Sequence, residues 1–303
     1  MDRWVEVGDR AWVRRHTELD LSLGLVAGDR ACLVVDTGPD EVGGAEFAAA
    51  VRELTALPWS VVLTHAHFDH SFGTAAFGEC PVWAHPACAT DLAQTGEAQR
   101  AIWARHYRDQ GAPESAARIE AARLVLPGRL VEGTTQIGFD GRLAEGTTTR
   151  GPVEGIAEDD LGGRLVEGVA EIDLGGRLVR LSHPGPGHTD HDLVVHVPDS
   201  ALVFAGDLVE QGAPPSFGDA FPLAWPSALD RVLGLGARTV VPGHGDPVDA
   251  AFVARQRAEL AEVAELCRAV EAGELTVPEA LARSPYPESF TTDALARTAA
   301  LPR

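Results

Sequence analysis

Apolar residues at the start of the chain fall in short runs separated by Gly-Asp pairs. Segments near 3–7, 11–16, 20–27 and 31–35 are rich in Val, Leu and Trp and are punctuated by Gly8-Asp9 and Gly28-Asp29, which predicts a meander of antiparallel strands. Ala31-Cys32-Leu33-Val34-Val35 is apolar almost throughout, as a strand buried on both faces would be, and stops at Asp36-Thr37-Gly38. A helical period follows over 43–56, carried by Phe47, Val51 and Leu54. The apolar strand Val61-Val62-Leu63 then runs straight into a histidine-rich stretch. Residues 86–123 read as mostly helical, with Ile102, Trp103, His106 and Tyr107 on an apolar face. Trp103 is expected in the core, and His106 and Tyr107 are candidates for a pocket wall.

Strands return at 177–182, 192–197 and 201–205, followed by a helix near 226–235 and a short strand at 238–241. From Asp249, a fair N-cap, Leu260, Val263, Leu266, Cys267 and Val270 keep helical spacing, and Thr276 before Pro278 marks another helix start. Between the two strand-rich stretches lies a repeat. Gly128-Arg129-Leu130-Val131-Glu132-Gly133 recurs as Gly163-Arg164-Leu165-Val166-Glu167-Gly168. Two copies are too few for a solenoid, so 128–178 reads as a duplicated Gly-rich hairpin insert. The order of elements predicts layered sheets flanked by helices, with one domain over 1–248 and a helical C-terminal extension over 249–303.

Composition narrows the function classes. Of 303 residues, 45% are hydrophobic and 23% charged, the make-up of a globular protein with a sizeable core. The formal net charge of −20 repels phosphate backbones and argues against nucleic-acid binding. No apolar run approaches the ~18–20 residues that span a bilayer, so no membrane association is expected. Met1-Asp2-Arg3-Trp4-Val5-Glu6 has neither a basic n-region nor an apolar h-region, so a cytoplasmic location is expected. Cys32, Cys80, Cys88 and Cys267 are scattered and read as reduced thiols.

The chemistry concentrates in His65-x-His67-x-Asp69-His70, directly after a buried strand. On extended chain, residues two apart point to one side, ~6.6 Å apart along the strand, so His65 and His67 can converge on one ion. Asp69 and His70 follow once the chain turns and can face a neighbouring ion. Imidazole and carboxylate ligands suit Zn²⁺. Three later strand ends each offer one further ligand beside small residues: His188 in Pro184-Gly185-Pro186-Gly187-His188-Thr189, Asp207 in Ala205-Gly206-Asp207, and His244 in Pro242-Gly243-His244-Gly245. Taken singly, each is an ordinary turn or capping residue; their joint occurrence carries the reading. His16, His85 and His196 are expected on the surface or in strands; His183 and His191 flank the His188 loop, and His191 is expected in a structural hydrogen bond, with a substrate contact as the alternative.

In this order the seven residues resemble the metal positions of the metallo-β-lactamase-fold hydrolases, over about residues 4–247. The resemblance implies a four-layer αββα sandwich with a two-metal site at one edge of the paired sheets. It implies that His65, His67 and His188 hold one metal, that Asp69, His70 and His244 hold the other, and that Asp207 bridges them. It also implies that Asp36 orients the ligand loop. Asp at 207 resembles the glyoxalase II and lactonase-like branches, since many true metallo-β-lactamases carry Cys or Ser there. The implied function is a dinuclear hydrolase of a small-molecule ester, thioester or lactone. Two divalent ions, zinc first and iron or manganese as alternatives, share and activate one water for attack on the carbonyl, with Asp69 accepting its proton. The competing readings are a mononuclear iron enzyme of the persulfide-dioxygenase kind, a β-lactam or phosphodiester hydrolase, and a binding protein that retains the fold. A homodimer is left open.

Overall fold

The computed structural model of the chain describes residues 3–132, 164–166 and 169–301, the side chains of 164–166 excepted. Most of the duplicated insert, at 133–163 and 167–168, lies outside the described residues.

The N-terminal half runs β1 (Trp4–Gly8), β2 (Ala11–His16), β3 (Leu21–Ala27), β4 (Cys32–Val35), α1 (Glu41–Leu54), β5 (Trp59–Val62), α2 (Phe68–Ser71) and β6 (Val82–Ala84). It continues through α3 (Pro86–Asp109), α4 (Pro113–Ala121) and β7 (Arg129–Leu130). The helical period over 86–123 therefore forms two helices. The break falls at Gly111, in the left-handed region at φ +75°, followed by Pro113 at the head of α4. The C-terminal half holds β8 (Arg164–Val166), β9 (Val169–Asp173), β10 (Leu178–Ser182), β11 (Val194–Val197), β12 (Leu202–Glu210), α5 (Trp225–Gly234) and β13 (Thr239–His244). Three helices close it: α6 (Ala250–Glu271), α7 (Val277–Leu281) and α8 (Glu288–Ala300).

The strands join in the order β7-β6-β5-β4-β3-β13-β12-β11-β10-β9-β8, with β2 also on β3 and β1 on β2. The two halves meet between β3 and β13, where the register has one partner pair, Leu21 with His244. The sheet folds over at that seam, and strand alternation then sorts side chains into three cores. On β3 and β4, Leu21, Leu23, Leu25, Cys32 and Val34 face outward onto Phe47 and Val51 of α1 and Leu92 of α3. Their neighbours Val26, Leu33 and Val35 face inward and meet Leu181, Val195 and Phe204 of the other half. Val194, Val203 and Ala205 face the far side, onto Leu229 of α5 and Leu260 and Val263 of α6. Helix, sheet, sheet, helix is the four-layer αββα sandwich. A strand buried on both faces has to be apolar at every position, which accounts for the unbroken run at 31–35. Gly24 is needed where the halves approach: a Cβ there would stand 2.5 Å from the Phe204 ring and 2.9 Å from Val35 Cβ.

Residues after 249 belong to the outer layer. Val253, Leu260, Val263, Cys267 and Ala294 are buried in the same core as Val203 and Val240. All four cysteines are free thiols. Among the described residues, no helix is long and apolar enough to cross a membrane.

One histidine outside the site carries a pH-dependent part of the stability. The backbone N–H of Ala87 donates to Nδ1 of His85, the N-cap of α3, at 3.2 Å, and the His85 ring lies 4.5 Å from that of His183. Burial, with the His183 charge adding, holds His85 down to about 4. A histidine depressed on folding contributes stability that is present above its unfolded pKa of about 6.5 and is lost as pH falls through the folded value. Protonation also removes the cap acceptor and sets positive charge at a helix N-terminus. The melting temperature is therefore expected to fall less steeply between pH 6.5 and 4 in His85→Asn, which keeps a capping oxygen without the titration, than in the parent protein.

Candidate metal centre

Seven side chains from five places in the chain converge beside the seam. β5 feeds the loop that carries His65 and His67, and the short helix α2 supplies Asp69 and His70. His188 comes from the loop after β10, Asp207 from within β12, and His244 from the end of β13. Three sets of donors lie close enough together to hold an ion: His65, His67, His188 and Asp207 in the first, Asp69, His70 and His244 in the second, and Asp207, Glu210 and His244 in a third that overlaps both.

Donor spacing is that of ion cages. In the first group, His67 Nδ1 lies 3.0 Å from both His65 Nε2 and His188 Nε2, and Asp207 Oδ2 lies 3.7 and 3.5 Å from those same two nitrogens. In the second, His244 Nε2 lies 3.3 Å from Asp69 Oδ2 and 3.4 Å from His70 Nε2. Asp207 links the two, with Oδ1 3.1 Å from His70 Nε2 and Oδ2 3.5 Å from His244 Nε2. Four ligands set tetrahedrally at about 2.0–2.2 Å from one ion stand roughly 3.3–3.6 Å apart.

The outward nitrogens of His65, His67, His70 and His244 fix their tautomers, so the inward nitrogens of these four present lone pairs. His70 Nδ1–H donates to Asp36 Oδ2 at 2.8 Å, and His244 Nδ1–H donates to the Leu19 carbonyl at 2.8 Å. His67 Nε2–H donates to Asp219 Oδ2 at 3.0 Å. Thr64 Oγ1 donates to Asp36 Oδ2 at 2.8 Å, so it accepts from His65 Nδ1–H at 3.0 Å. The inward atoms His65 Nε2 and His67 Nδ1 then hold no proton to share between them. Asp207 Oδ1 is buried and accepts no hydrogen bond. Lone pairs facing lone pairs, around a carboxylate oxygen without a donor, call for a cation, and the residues present fit a divalent metal.

Charge in the cage does not follow the groups, since His67 departs from His65 and His188. Burial drives His65 well below its ordinary value, with the His70 charge adding, and takes His188 down to about 4. At His67, burial is overcome by the hydrogen bond that its Nε2–H donates to Asp219, which holds the ring up to about 8. At His70, burial is overcome by Asp207, Asp36 and Asp69, which hold it well above its usual range. Asp207 stays well below the ordinary carboxylate range despite burial, because of His70 and His244.

The supporting residues explain why the loop holds this shape. Asp36, just past β4 in the left-handed region at φ +59°, accepts from Thr64 N through Oδ1, and from Thr64 Oγ1 and His70 Nδ1 through Oδ2, each at 2.8 Å. Thr37 donates to the His70 carbonyl from N and from Oγ1. His191 makes structural bonds: the Ala66 N–H donates to its Nε2 at 3.2 Å, and its Nδ1–H donates to Asp190 at 2.7 Å. His183 Nδ1–H donates to the Asp192 carbonyl. His196 sits buried in β11.

The centre opens into a cavity of about 920 Å³, whose wall includes Phe68, Ile102, Trp103, Pro214 and Phe290. Trp103, expected in the core, is half-buried: it stacks on Phe68 at 4.3 Å and also lines the cavity, because α3 passes over its mouth. His106 and Tyr107 are not in that wall. Two site residues escaped the sequence reading. Asp219 sits in an unremarked Gly218-Asp219 loop. Glu210 ends a strand that runs five residues beyond the segment predicted at 201–205, and an acid closing a fully buried run was the available signal. Burial, with the Asp207 charge adding, pushes Glu210 well above the usual carboxylate range.

Gly243 leaves no room for a side chain: a Cβ there would stand 1.8 Å from Asp207 Oδ1. Gly243→Ala is expected to displace that carboxylate and weaken metal binding by about 10–100-fold, read by titration against a chromogenic chelator.

The metallo-beta-lactamase superfamily model matches residues 22–244. A type 2 metallo-beta-lactamase of Pseudomonas aeruginosa is 33% identical over 79 residues, 25% of this chain and 32% of that protein. One of Bacteroides fragilis is 40% identical over 67 residues, 20% of this chain and 27% of that protein. The chain thus spans a third or less of the length of these curated relatives. Among solved structures, a metallo-beta-lactamase from Pontibacter korlensis superposes with TM-score 0.59 at 18% identity, over 86% of this chain and 99% of that one. The mono-zinc form of FIM-1 from Pseudomonas aeruginosa superposes with TM-score 0.55 at 19% identity, over 86% of this chain and 95% of that one. At such identities these likenesses speak for the fold alone.

Proposed function

Because the chain belongs to the metallo-beta-lactamase superfamily, we propose that it is a dinuclear zinc hydrolase of a small ester, thioester or lactone. The observation that carries this reading is the double cage of inward donors sharing Asp207 at the floor of a largely apolar cavity. His65, His67 and His188 would hold one ion, Asp69, His70 and His244 the other, and Asp207 both. When bound, such ions lower the pKa of a water and polarise a carbonyl oxygen.

The chain's own residues do the rest. Asp69 borders the cavity and accepts the proton of the attacking water. Asp36 and Asp219 keep His70 and His67 in the tautomers that face the ions. Phe68, Trp103 and Ile102 hold the apolar part of the substrate and exclude solvent from one side. Asp at 207 favours the glyoxalase II and lactonase-like branch. The names of the relatives favour β-lactam hydrolysis as the second reading.

The test is turnover of an aryl ester, a lactone, a thioester, a β-lactam and a phosphodiester by chelator-stripped and zinc-restored protein. Carbonyl substrates are expected to turn over only with metal restored. Turnover confined to the β-lactam or the phosphodiester, or untouched by chelation, overturns the proposal. So does restoration by a single iron alone.

A further inference from the structure

Glu210 shares a set of donors with Asp207 and His244, yet His244 has one lone pair to give. Its Nδ1–H donates to the Leu19 carbonyl, so only Nε2 can ligate, and that lone pair serves one ion. The third set therefore cannot hold an ion of its own while His244 belongs to the second cage. Either Glu210 joins the ion of that cage or its carboxyl stands idle. Idle, it is 8% exposed, and no hydrogen bond or ion pair reaches it among the described residues. Burying such a group without a partner is costly.

The strand brings Glu210 to the centre. Glu210 closes β12 and is the register partner of His244 on β13. Residues three apart on a regular strand face opposite ways, but the register shifts between Gly206 and Glu210, and Asp207 and Glu210 both come beside His244. The Glu210 N–H donates to Gln256 Oε1 at 3.4 Å, and the Gln211 N–H donates to the His244 carbonyl at 3.0 Å, which hold this end of the strand. Donor atoms of Glu210, Asp207 and His244 all lie within 4.8 Å of one another. Ligands at about 2.0–2.2 Å from one ion stand up to about 4.4 Å apart. A turn of the Glu210 side chain closes the difference, and a cavity of about 250 Å³ beside it leaves room for that turn. Arg255 borders the same cavity, but its guanidinium lies over the Phe252 ring at 5.5 Å and makes no ion pair with Glu210.

We infer that Glu210 is a further ligand of the ion held by Asp69, His70 and His244, and that it opens this second position to a harder cation, manganese(II) as well as zinc. With Asp207, the second position then has three carboxylates and two imidazoles, against one carboxylate and three imidazoles at the first. Carboxylates suit manganese, and imidazoles suit zinc. Glu210 binds as the carboxylate, and its proton leaves as the ion enters. The inference rests on the two-ion reading above.

The experiment loads the chelator-stripped full chain with one equivalent of zinc and an excess of manganese. Anomalous diffraction at the zinc and manganese edges reads the positions, and the electron paramagnetic resonance of manganese reads its affinity. Zinc is expected among His65, His67 and His188, and manganese among Asp69, His70 and His244 with a Glu210 oxygen bonded to it. Glu210→Gln is expected to weaken manganese binding by about tenfold or more and to leave zinc at the first position. Arg255→Gln is expected to change neither. Manganese at the first position or at none, a Glu210 carboxyl turned away from the second ion, unchanged manganese affinity in Glu210→Gln, or an equal loss in Arg255→Gln would each overturn the inference. The parent's maps decide alone if Glu210→Gln does not fold. Zinc alone at saturation separates this inference from the reading beneath it. Fewer than two zinc peaks defeats both, whereas two peaks with Glu210 bonded to neither defeats this inference only.

Discussion

Asp207→Asn is expected to lower kcat by on the order of 10³-fold or more and to cost the centre its metal. The expectation follows from where the two oxygens sit. Oδ1 lies 3.1 Å from His70 Nε2, and Oδ2 lies 3.5 Å from both His188 Nε2 and His244 Nε2, so one carboxylate serves both donor groups. Asparagine keeps the volume, removes the negative charge between the two donor groups, and turns N–H groups toward atoms that carry lone pairs. Its remaining oxygen can face only one group. Replacing any single histidine leaves the other cage intact, whereas this change damages both. Metal content by mass spectrometry and turnover should fall together, with circular dichroism unchanged. A variant that retains both ions and normal turnover would show that Asp207 links nothing.

Asp36→Asn has the second-largest expected effect, and it acts without touching the ions. Asp36 accepts three hydrogen bonds, from Thr64 N, Thr64 Oγ1 and His70 Nδ1. Asparagine tolerates the left-handed backbone at φ +59°, so the change is chemical and not conformational. Its amide N–H₂ would face His70 Nδ1 and reward the tautomer in which Nε2 carries the proton. A protonated Nε2 is no ligand, so the second group loses its anchor. Metal affinity is expected to drop by about 10–100-fold and kcat by on the order of 10². A purely structural role would lower the melting temperature without moving the ring proton. The ¹⁵N shifts of His70 therefore separate the two, and an unchanged tautomer with unchanged affinity would remove Asp36 from the metal account.

The fold was readable where one physical rule dominates. Strands buried on both faces must be apolar throughout, so 31–35 and 61–63 stood out, and the layer order followed from helices placed between them. Helix boundaries were weaker: the apolar stripe over 86–123 did not reveal the interruption at Gly111, because a short connection leaves the period nearly in phase. Ligand identity was readable because imidazoles and acids at strand ends, beside glycines, are unusual in combination. What stood outside the sequence was reach across the chain. Nothing local ties Asp219 to His67, 152 residues away, or turns Trp103 from the core toward a cavity. Glu210 reads as the polar end of a strand until the fold folds back on itself and buries it.

The central claim is a pair of metal ions sharing Asp207. Anomalous diffraction at the zinc edge, from crystals of the zinc-restored protein, tests it most directly. The account predicts two peaks, one among His65, His67 and His188 and one among Asp69, His70 and His244, with Asp207 between them. No peak among these residues, or one confined to a single group at saturating zinc, would contradict it.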